Sequence, residues 1–393
     1  MFDLKAIQSA LKDMQLDGWL LYDFRGLNVL AQRVLDMKPD AMGSRRFAYM
    51  IPAQGEPRKL VHRIESGALD HLPGGKTIYL RWQEFEAGLK SLIGSAKQVA
   101  MEYSPRNAIP YLARVDAGTI ELVQSFGVDV RSSGNLIQLF EACLDEEQWQ
   151  LHLEASRHTE AAYGKAWSFI AEKLRAGNVV TERDVANVIM DHFERNNLTT
   201  YHPPIVGVGP HSGDPHFETG DTPLQPNDFV LIDLWAKMKH PRGVYSDLTW
   251  VGYLGVDVPA KYENIFQIVA KARDAGIDCV RSAFASGKPL QGWQVDDAVR
   301  KVIDDAGYGA AFVHRTGHSI GQETHGNGAN MDNLETRDER LVMKRTLFSI
   351  EPGIYLPEFG VRSEVDVFVD GQGKVHVTGG GPQKQVLPVM AMF

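Results

Sequence analysis

Two apolar runs of this 393-residue chain each carry one aspartate, Phe229-Val-Leu-Ile-Asp233-Leu-Trp235 and Tyr245-Ser-Asp247-Leu-Thr249-Trp250. A polar stretch with Pro241 and Gly243 separates them, so the pair reads as two antiparallel strands and a turn. Side chains alternate along a strand, and hairpin parity can set both carboxylates on one face. A carboxylate in such a setting is costly unless positive charge lies against it. From the hairpin alone, a shared cation and an arginine partner for one aspartate explain it equally well. Three later stretches add the same tension. His314-Arg-Thr-Gly-His318-Ser-Ile-Gly321 lies between an apolar run and a turn, with His325 following. Ser349-Ile-Glu351-Pro-Gly ends another apolar run, and Val361-Arg-Ser-Glu364-Val-Asp366-Val sets charges inside an alternating strand. Together they bring four carboxylates and one imidazole into apolar contexts where an unpaired charge is penalised.

The elements that must position these groups follow from periodicity. Leu4, Ile7, Leu11 and Met14 have helical spacing over residues 3–15, and Trp19–Tyr22 follows as a short buried strand. Strands are expected at 47–51, 59–62, 77–80 and 98–101, with helices near 84–93 and 106–115. That mixture gives an α/β unit closed by about residue 130. An acidic first turn, Asp145-Glu-Glu147, opens a long helix to about Arg175. A second helix starts near Thr181, where Thr-x-x-Asp184 resembles a capping box. Seven of the 13 histidines lie between His202 and His325, in a stretch rich in Gly and Pro, which favours a site there. Helices return at 259–285 and 291–306, and the last hundred residues read as strands with tight turns, including a hairpin over 350–367.

Composition narrows the classes. The chain is 44% apolar and 23% charged with a formal net charge of −9, as for a soluble globular protein without a dominant nucleic-acid surface. No apolar run approaches the ~18–20 residues of a membrane span, and Met1-Phe-Asp-Leu-Lys-Ala-Ile has no charged segment followed by an apolar block, so no secretory signal is expected. The two cysteines, Cys143 and Cys279, follow no metal or redox spacing. The expectation is a cytoplasmic protein without nucleic-acid or membrane partners. Any metal site must use His and carboxylates.

In chain order the five groups are Asp, Asp, His, Glu, Glu, and here the sequence resembles the pita-bread metallopeptidases. Asp233 in IDLW, Asp247 in YSDLT, His318 in HRTGHSIG, Glu351 in SIEPG and Glu364 in VRSEVD match that family's ligand motifs. The preceding α/β unit looks like the N-terminal domain of aminopeptidase P, prolidase and creatinase, which methionine aminopeptidases generally lack. The resemblance implies an α/β N-terminal domain over 1–130 and a linker over 131–144. It implies an α+β pita-bread catalytic domain with pseudo-twofold symmetry over 145–393, in a homodimer. It also implies two divalent metal ions, with Mn²⁺ favoured and Co²⁺ or Zn²⁺ able to occupy the same hard ligand set. Asp233 would chelate one ion, His318 and Glu351 the other, and Asp247 and Glu364 would bridge both. A metal-bridging water or hydroxide would then attack the scissile carbonyl. Glu351 would shuttle the proton that a proline nitrogen needs before it can leave. His216 and His325 match histidines that contact the scissile carbonyl and its oxyanion, and Arg362 would orient Glu364 or a neighbouring acid.

The activity so implied is hydrolysis of Xaa-Pro dipeptides, small peptides with proline after the scissile bond. Aminopeptidase P activity on longer Xaa-Pro-Yaa peptides uses the same ligands and is the nearest alternative. A metal-free creatinase-like hydrolase and a non-catalytic binding protein fit an intact ligand set less well. A dipeptidase must also recognise an ammonium and a carboxylate two residues apart. The loop between strands 19–22 and 47–51 carries Asp36, suited to the ammonium, with Arg45 and Arg46, suited to the carboxylate. A solvated loop with a surface Asp–Arg pair is the plainer reading. His202, His211 and His314 join the substrate-binding candidates. His202 and His211 are equally readable as structural, and His314 reads more readily as a core or site-supporting histidine. Arg315 and Asp366 read as ordinary solvated or paired charges. Trp235 stands where the family often has a small residue, Trp250 where many members have arginine, and His211 where a small polar residue is common. The substrate pocket is therefore expected to be reshaped.

Overall fold

Continuous apolar runs near the N-terminus build one mixed sheet. The computed structural model describes residues 2–38 and 43–393, and the chain divides into two compact units, Met1–Glu141 and Ala142–Phe393. In the first unit the strands are β1 (Gly18–Asp23), β2 (Phe47–Pro52), β3 (Arg58–His62), β4 (Gly75–Tyr79), β5 (Gln98–Met101) and β6 (Asp129–Ser132). They lie in the order β4-β3-β2-β1-β5-β6, and β1 is buried along its whole length, as its unbroken Trp-Leu-Leu-Tyr run requires. Helices α1 (Leu4–Asp13), α2 (Val29–Val34) and α5 (Gly134–Glu141) pack on one face, and α3 (Trp82–Ile93) and α4 (Ala117–Ser125) on the other.

Two sequence expectations change here. The helix over 106–115 is absent: Pro105 and Pro110 lack N–H donors, and Arg106 and Asn107 have φ of 56° and 54°. Only 3₁₀ turns form there, at Pro105–Asn107 and Pro110–Leu112. The stretch 131–144, expected as a linker, carries the end of β6 and all of α5, whose Leu136 and Ile137 are buried in the first unit's core.

The second unit builds the same motif twice. α6 (Glu146–Arg175, 30 residues) precedes α7 (Glu182–Arg195, 14 residues), and α8 (Ala260–Ser286, 27 residues) precedes α9 (Gly292–Asp305, 14 residues). Each short helix opens with a capping box, Thr181 with Asp184 and Gln291 with Gln294. Each cap residue also forms an isolated antiparallel bridge, to Pro223 and Leu341 respectively. The first pair leads into β7 (Leu198–Thr199), β8 (Ile205–Val208), β9 (Phe229–Met238) and β10 (Ser246–Tyr253). The second leads into β11 (Ser319–Ile320), β12 (Leu347–Ile350), β13 (Gly353–Tyr355), β14 (Gly360–Arg362), β15 (Val365–Val369) and β16 (Val375–Val377). β9 pairs with β10, β7 and β8; β11-β12-β15-β16 form a second sheet; and β13 and β14 form a hairpin. This is the α+β pita-bread arrangement with pseudo-twofold symmetry. Tyr163, Trp167 and Ile170 of α6 pack on β9 and β10, and Ile277, Val280 and Val295 of α8 and α9 pack on β12 and β15. Among the described residues no helix is long and apolar enough to cross a membrane.

Candidate metal centre

β9 and β10 pair antiparallel with Asp233 opposite Thr249 and Trp235 opposite Asp247. All four side chains therefore share one face, with the two carboxylates on a diagonal. His318 arrives on a different element, just before β11. Gly317 approaches β12 so closely that a Cβ would lie 2.0 Å from the Ser349 carbonyl oxygen. That approach lets the His318 N–H donate to Ser349 Oγ at 3.0 Å, and Ser349 Oγ donates to Glu351 Oε1 at 2.9 Å. His318 Nδ1 lies 3.2 Å from the Ser319 carbonyl, while Nε2 lies 3.6 Å from Asp247 Oδ2 and 3.4 Å from Glu351 Oε1. Glu364 sits between β14 and β15, where Thr249 Oγ1 donates to its Oε2 at 2.7 Å. Ligand-capable atoms of Asp247, His318 and Glu364 lie within 4.8 Å of one another, and all three residues are buried.

Arg362 ties this row together. Its Nη2 is bonded to Asp233, its Nε donates to Thr249 Oγ1 at 3.0 Å, and its Nη1 donates to the Tyr355 hydroxyl at 3.0 Å. Its acid is thus Asp233, while Thr249 links it to Glu364.

The electrostatics test whether these residues fit a metal. Burial, then repulsion from neighbouring carboxylates, holds Asp247 and Glu364 well above the ordinary carboxylate range. Burial also raises Asp233 and pushes Glu351 up to about 7, both opposed by Arg362. Burial holds His318 well below its ordinary value, so its imidazole is neutral with a lone pair to give. Asp233 Oδ1 is buried with no hydrogen-bond partner among the described residues. Carboxylates crowded this tightly must take up protons or share a cation. The residues fit a divalent metal site.

The other sequence candidates fall in several places. His325 packs edge-on to His318, 4.4 Å between ring centroids, and burial pushes it down to about 4. The His216 N–H donates to Asp214 Oδ1 at 3.0 Å in an exposed loop. His314 Nε2 meets the Tyr355 hydroxyl at 2.7 Å. His211 Nδ1 lies 2.8 Å from Glu182 Oε1, a fully buried carboxylate, and its ring stacks on Phe217. His202 is exposed and stacks on Trp235. Asp36, Arg45 and Arg46 belong to the first unit; Pro39–Met42 of their loop lie outside the described residues. Asp36 and Arg45 are exposed, and the Arg46 guanidinium sits 4.0 Å over the Phe85 ring.

Asp366 corrects the sequence reading. It is fully buried, and its Oδ2 accepts from Ser246 Oγ at 2.9 Å and from the Asp247 N–H at 3.1 Å. Burial pushes its carboxyl up to about 8, and His152 Nε2 lies 3.9 Å away. Thr249, Ser349 and Tyr355 are the site residues that sequence reasoning passed over. Strand alternation carries a signal for two of them. Thr249 is two residues past Asp247, and Tyr355 pairs with Gly360, two residues before Arg362.

A pita-bread fold holding a buried Asp–His–Glu cluster defines a class of metallopeptidases. Residues 150–371 match the metallopeptidase family M24, and the chain belongs to that family. It is 28% identical over 351 residues to a probable dipeptidase PepE of Mycobacterium bovis, covering 88% of this chain and 86% of the relative. It is 32% identical over 221 residues to an Xaa-Pro dipeptidase of Lactobacillus delbrueckii subsp. lactis, covering 56% of each. The crystal structure of dipeptidase PepE from Mycobacterium ulcerans shares the fold with a TM-score of 0.67 at 23% identity, covering 98% of this chain and 96% of that one.

Proposed function

We propose that this chain hydrolyses Xaa-Pro dipeptides with two divalent metal ions, Mn²⁺ favoured and Co²⁺ or Zn²⁺ able to substitute. Asp233, Asp247, His318, Glu351 and Glu364 would hold them. The observation that carries this reading is the buried cluster of Asp247, His318 and Glu364, bordered by Asp233 and Glu351. The relatives named as dipeptidases support the substrate class. Bound ions supply Lewis acidity, which polarises a carbonyl and lowers the pKa of water.

The chain's own residues do the rest. Arg362 and Thr249 fix Asp233 and Glu364, and Ser349 fixes Glu351. A proline nitrogen has no N–H and must be protonated to leave, and in this reading the Glu351 carboxyl delivers that proton. His325, beside His318, and His216 donate to the oxygen of the scissile carbonyl as charge develops there. Asp36, Arg45 and Arg46 are the proposed length selectors, with His211 and His314 as supports of the substrate site. The reading takes the protein as a cytoplasmic homodimer, supported by the family resemblance. Cleavage of Ala-Pro against Ala-Pro-Ala by the Mn²⁺-loaded protein tests it. Faster cleavage of Ala-Pro is expected; preference for Ala-Pro-Ala would move the activity to aminopeptidase P, and inertness toward both would end the reading.

A further inference from the structure

At equivalent places in the two repeats, α6 and α8 bury a large polar side chain for which the proposed chemistry has no use. Tyr163 of α6 is 1% exposed and Arg273 of α8 is 2% exposed. The equivalence follows from the helix pairs: α7 and α9 both have 14 residues, and their caps Thr181 and Gln291 stand equally far beyond Tyr163 and Arg273. One side chain is a phenol and the other a guanidinium, yet both aim their donors at residues adjoining the carboxylate row.

The Tyr163 hydroxyl lies 3.1 Å from the Ile232 carbonyl and 2.6 Å from the Leu248 carbonyl. Ile232 immediately precedes Asp233 on β9, and Leu248 immediately follows Asp247 on β10. A single hydroxyl thus spans both strands beside the aspartate that each carries, and its ring is held by stacking on Trp250, 5.1 Å away at 19°. Arg273 Nη1 donates to Ser363 Oγ at 2.5 Å and to the Gln383 carbonyl at 2.8 Å. Ser363 stands between Arg362 and Glu364, and its N–H donates to the carbonyl of Pro352, the residue after Glu351. The Gln383 side chain bonds both the N–H and the carbonyl of Val251 on β10.

Packing alone does not call for either group. Apolar side chains of similar volume fill a core as well as a buried charge does, without its desolvation cost. The carboxylate bonded to Arg273, Asp274, lies toward solvent, with 56% of its side chain exposed. A buried donor does what an apolar group cannot: it is satisfied in few geometries, so it fixes the backbone it bonds. We propose that Tyr163 and Arg273 are paired positioning residues, one per repeat, that set Asp233 with Asp247 and Glu351 with Glu364 at the spacing a shared divalent ion requires. The proposal rests on the metal reading only for what those carboxylates hold.

The test joins Mn²⁺ titration to backbone hydrogen exchange of the metal-free full chain, in wild type, Tyr163→Phe, Arg273→Met and Arg273→Lys. Tyr163→Phe keeps the ring and removes the donor, so it stands as a test even if Arg273→Met does not fold. Tyr163→Phe and Arg273→Met should each bind Mn²⁺ about 3–10-fold more weakly, less than the ~10–100-fold lost with a group bonded directly to a ligand. Arg273→Lys should fall between Arg273→Met and wild type, because an ammonium keeps the charge and a donor. Exchange should quicken over 229–253 in Tyr163→Phe and over 360–369 in Arg273→Met, and match wild type in α9 and the first unit. A merely structural role would quicken exchange and leave Mn²⁺ affinity alone. Unchanged affinity in Tyr163→Phe, or equal affinity in Arg273→Lys and Arg273→Met, overturns the proposal. Wild type that binds no Mn²⁺ ends the metal reading, and the exchange pattern then decides the strand clamp by itself. Exchange unchanged, or quickened evenly across the second unit, overturns the clamp.

Discussion

His325 packs against His318 and His216 lies in an exposed loop, and if both act on the scissile carbonyl as proposed, their substitution should separate metal loading from rate. His216→Ala and His325→Ala are expected to retain bound metal yet lose roughly 10²–10³-fold in kcat, the range for one lost oxyanion donor. Metal analysis beside Ala-Pro kinetics checks this; loss of metal in either variant would make that histidine a ligand. Thr249 acts in the opposite way, because its hydroxyl donates to Glu364 and accepts from Arg362. Thr249→Val should weaken Mn²⁺ binding by about 10–100-fold, as for other groups that orient ligands, and a Mn²⁺ titration unchanged from wild type would remove Thr249 from the site. The five ligand candidates were legible because a charge inside an apolar run stands out. Thr249, Ser349 and Tyr355 were not, since threonine, serine and tyrosine are ordinary strand residues. Asp366 was misread although it shares a strand face with Glu364, and alternation alone would have buried it.

At the scale of elements, long periodic helices were readable and short ones were not. α2, α4 and α5 have six, nine and eight residues, too few turns for a period to show. The capping box at Thr181 was readable because its mechanism is local, and Thr181→Ala should cost about 1 kcal/mol in urea unfolding. No loss would mean the cap bonds do not stabilise α7. In the first unit one carboxylate joins three elements. Glu102, just past β5, accepts from Trp19 Nε1 of β1 and from Nδ2 of Asn28 at the start of α2, each at 2.7 Å. Burial raises its carboxyl above the ordinary value, opposed by those bonds. A raised folded-state value means the stabilising contribution is full below the unfolded value and is lost as pH rises through the folded one. Wild type should therefore lose stability relative to Glu102→Gln as pH rises from about 4.5, the range where free glutamate titrates. Urea unfolding of both full-length chains across pH checks this, and a pH-independent difference would contradict it.

At the scale of the whole molecule, the five ligand candidates all lie in the second unit, where the repeated helix pair and the strands that follow each copy bring together residues far apart in sequence. β9 and β10 of the first repeat carry Asp233 and Asp247, and the second repeat sets His318 just before β11, Glu351 just after β12 and Glu364 just before β15. Periodicity could not show that repeat, because its halves share the order of a long and a 14-residue helix and a capping-box pattern rather than residues; the ligand motifs and their family resemblance pointed to it. Length selection is the least legible property. If Asp36, Arg45 and Arg46 select for dipeptides, their alanine variants should lower the ratio of Ala-Pro to Ala-Pro-Ala cleavage, and three unchanged ratios would exclude that loop. The central claim is that five residues hold two ions on which hydrolysis depends. Bound manganese per chain and Ala-Pro hydrolysis, followed together through chelation and Mn²⁺ readdition in wild type and Glu364→Ala, test it most directly. Activity should fall as two ions per chain are lost and return with Mn²⁺, while Glu364→Ala neither loads nor hydrolyses. Full hydrolysis by metal-free wild type, or by Glu364→Ala, would contradict the account.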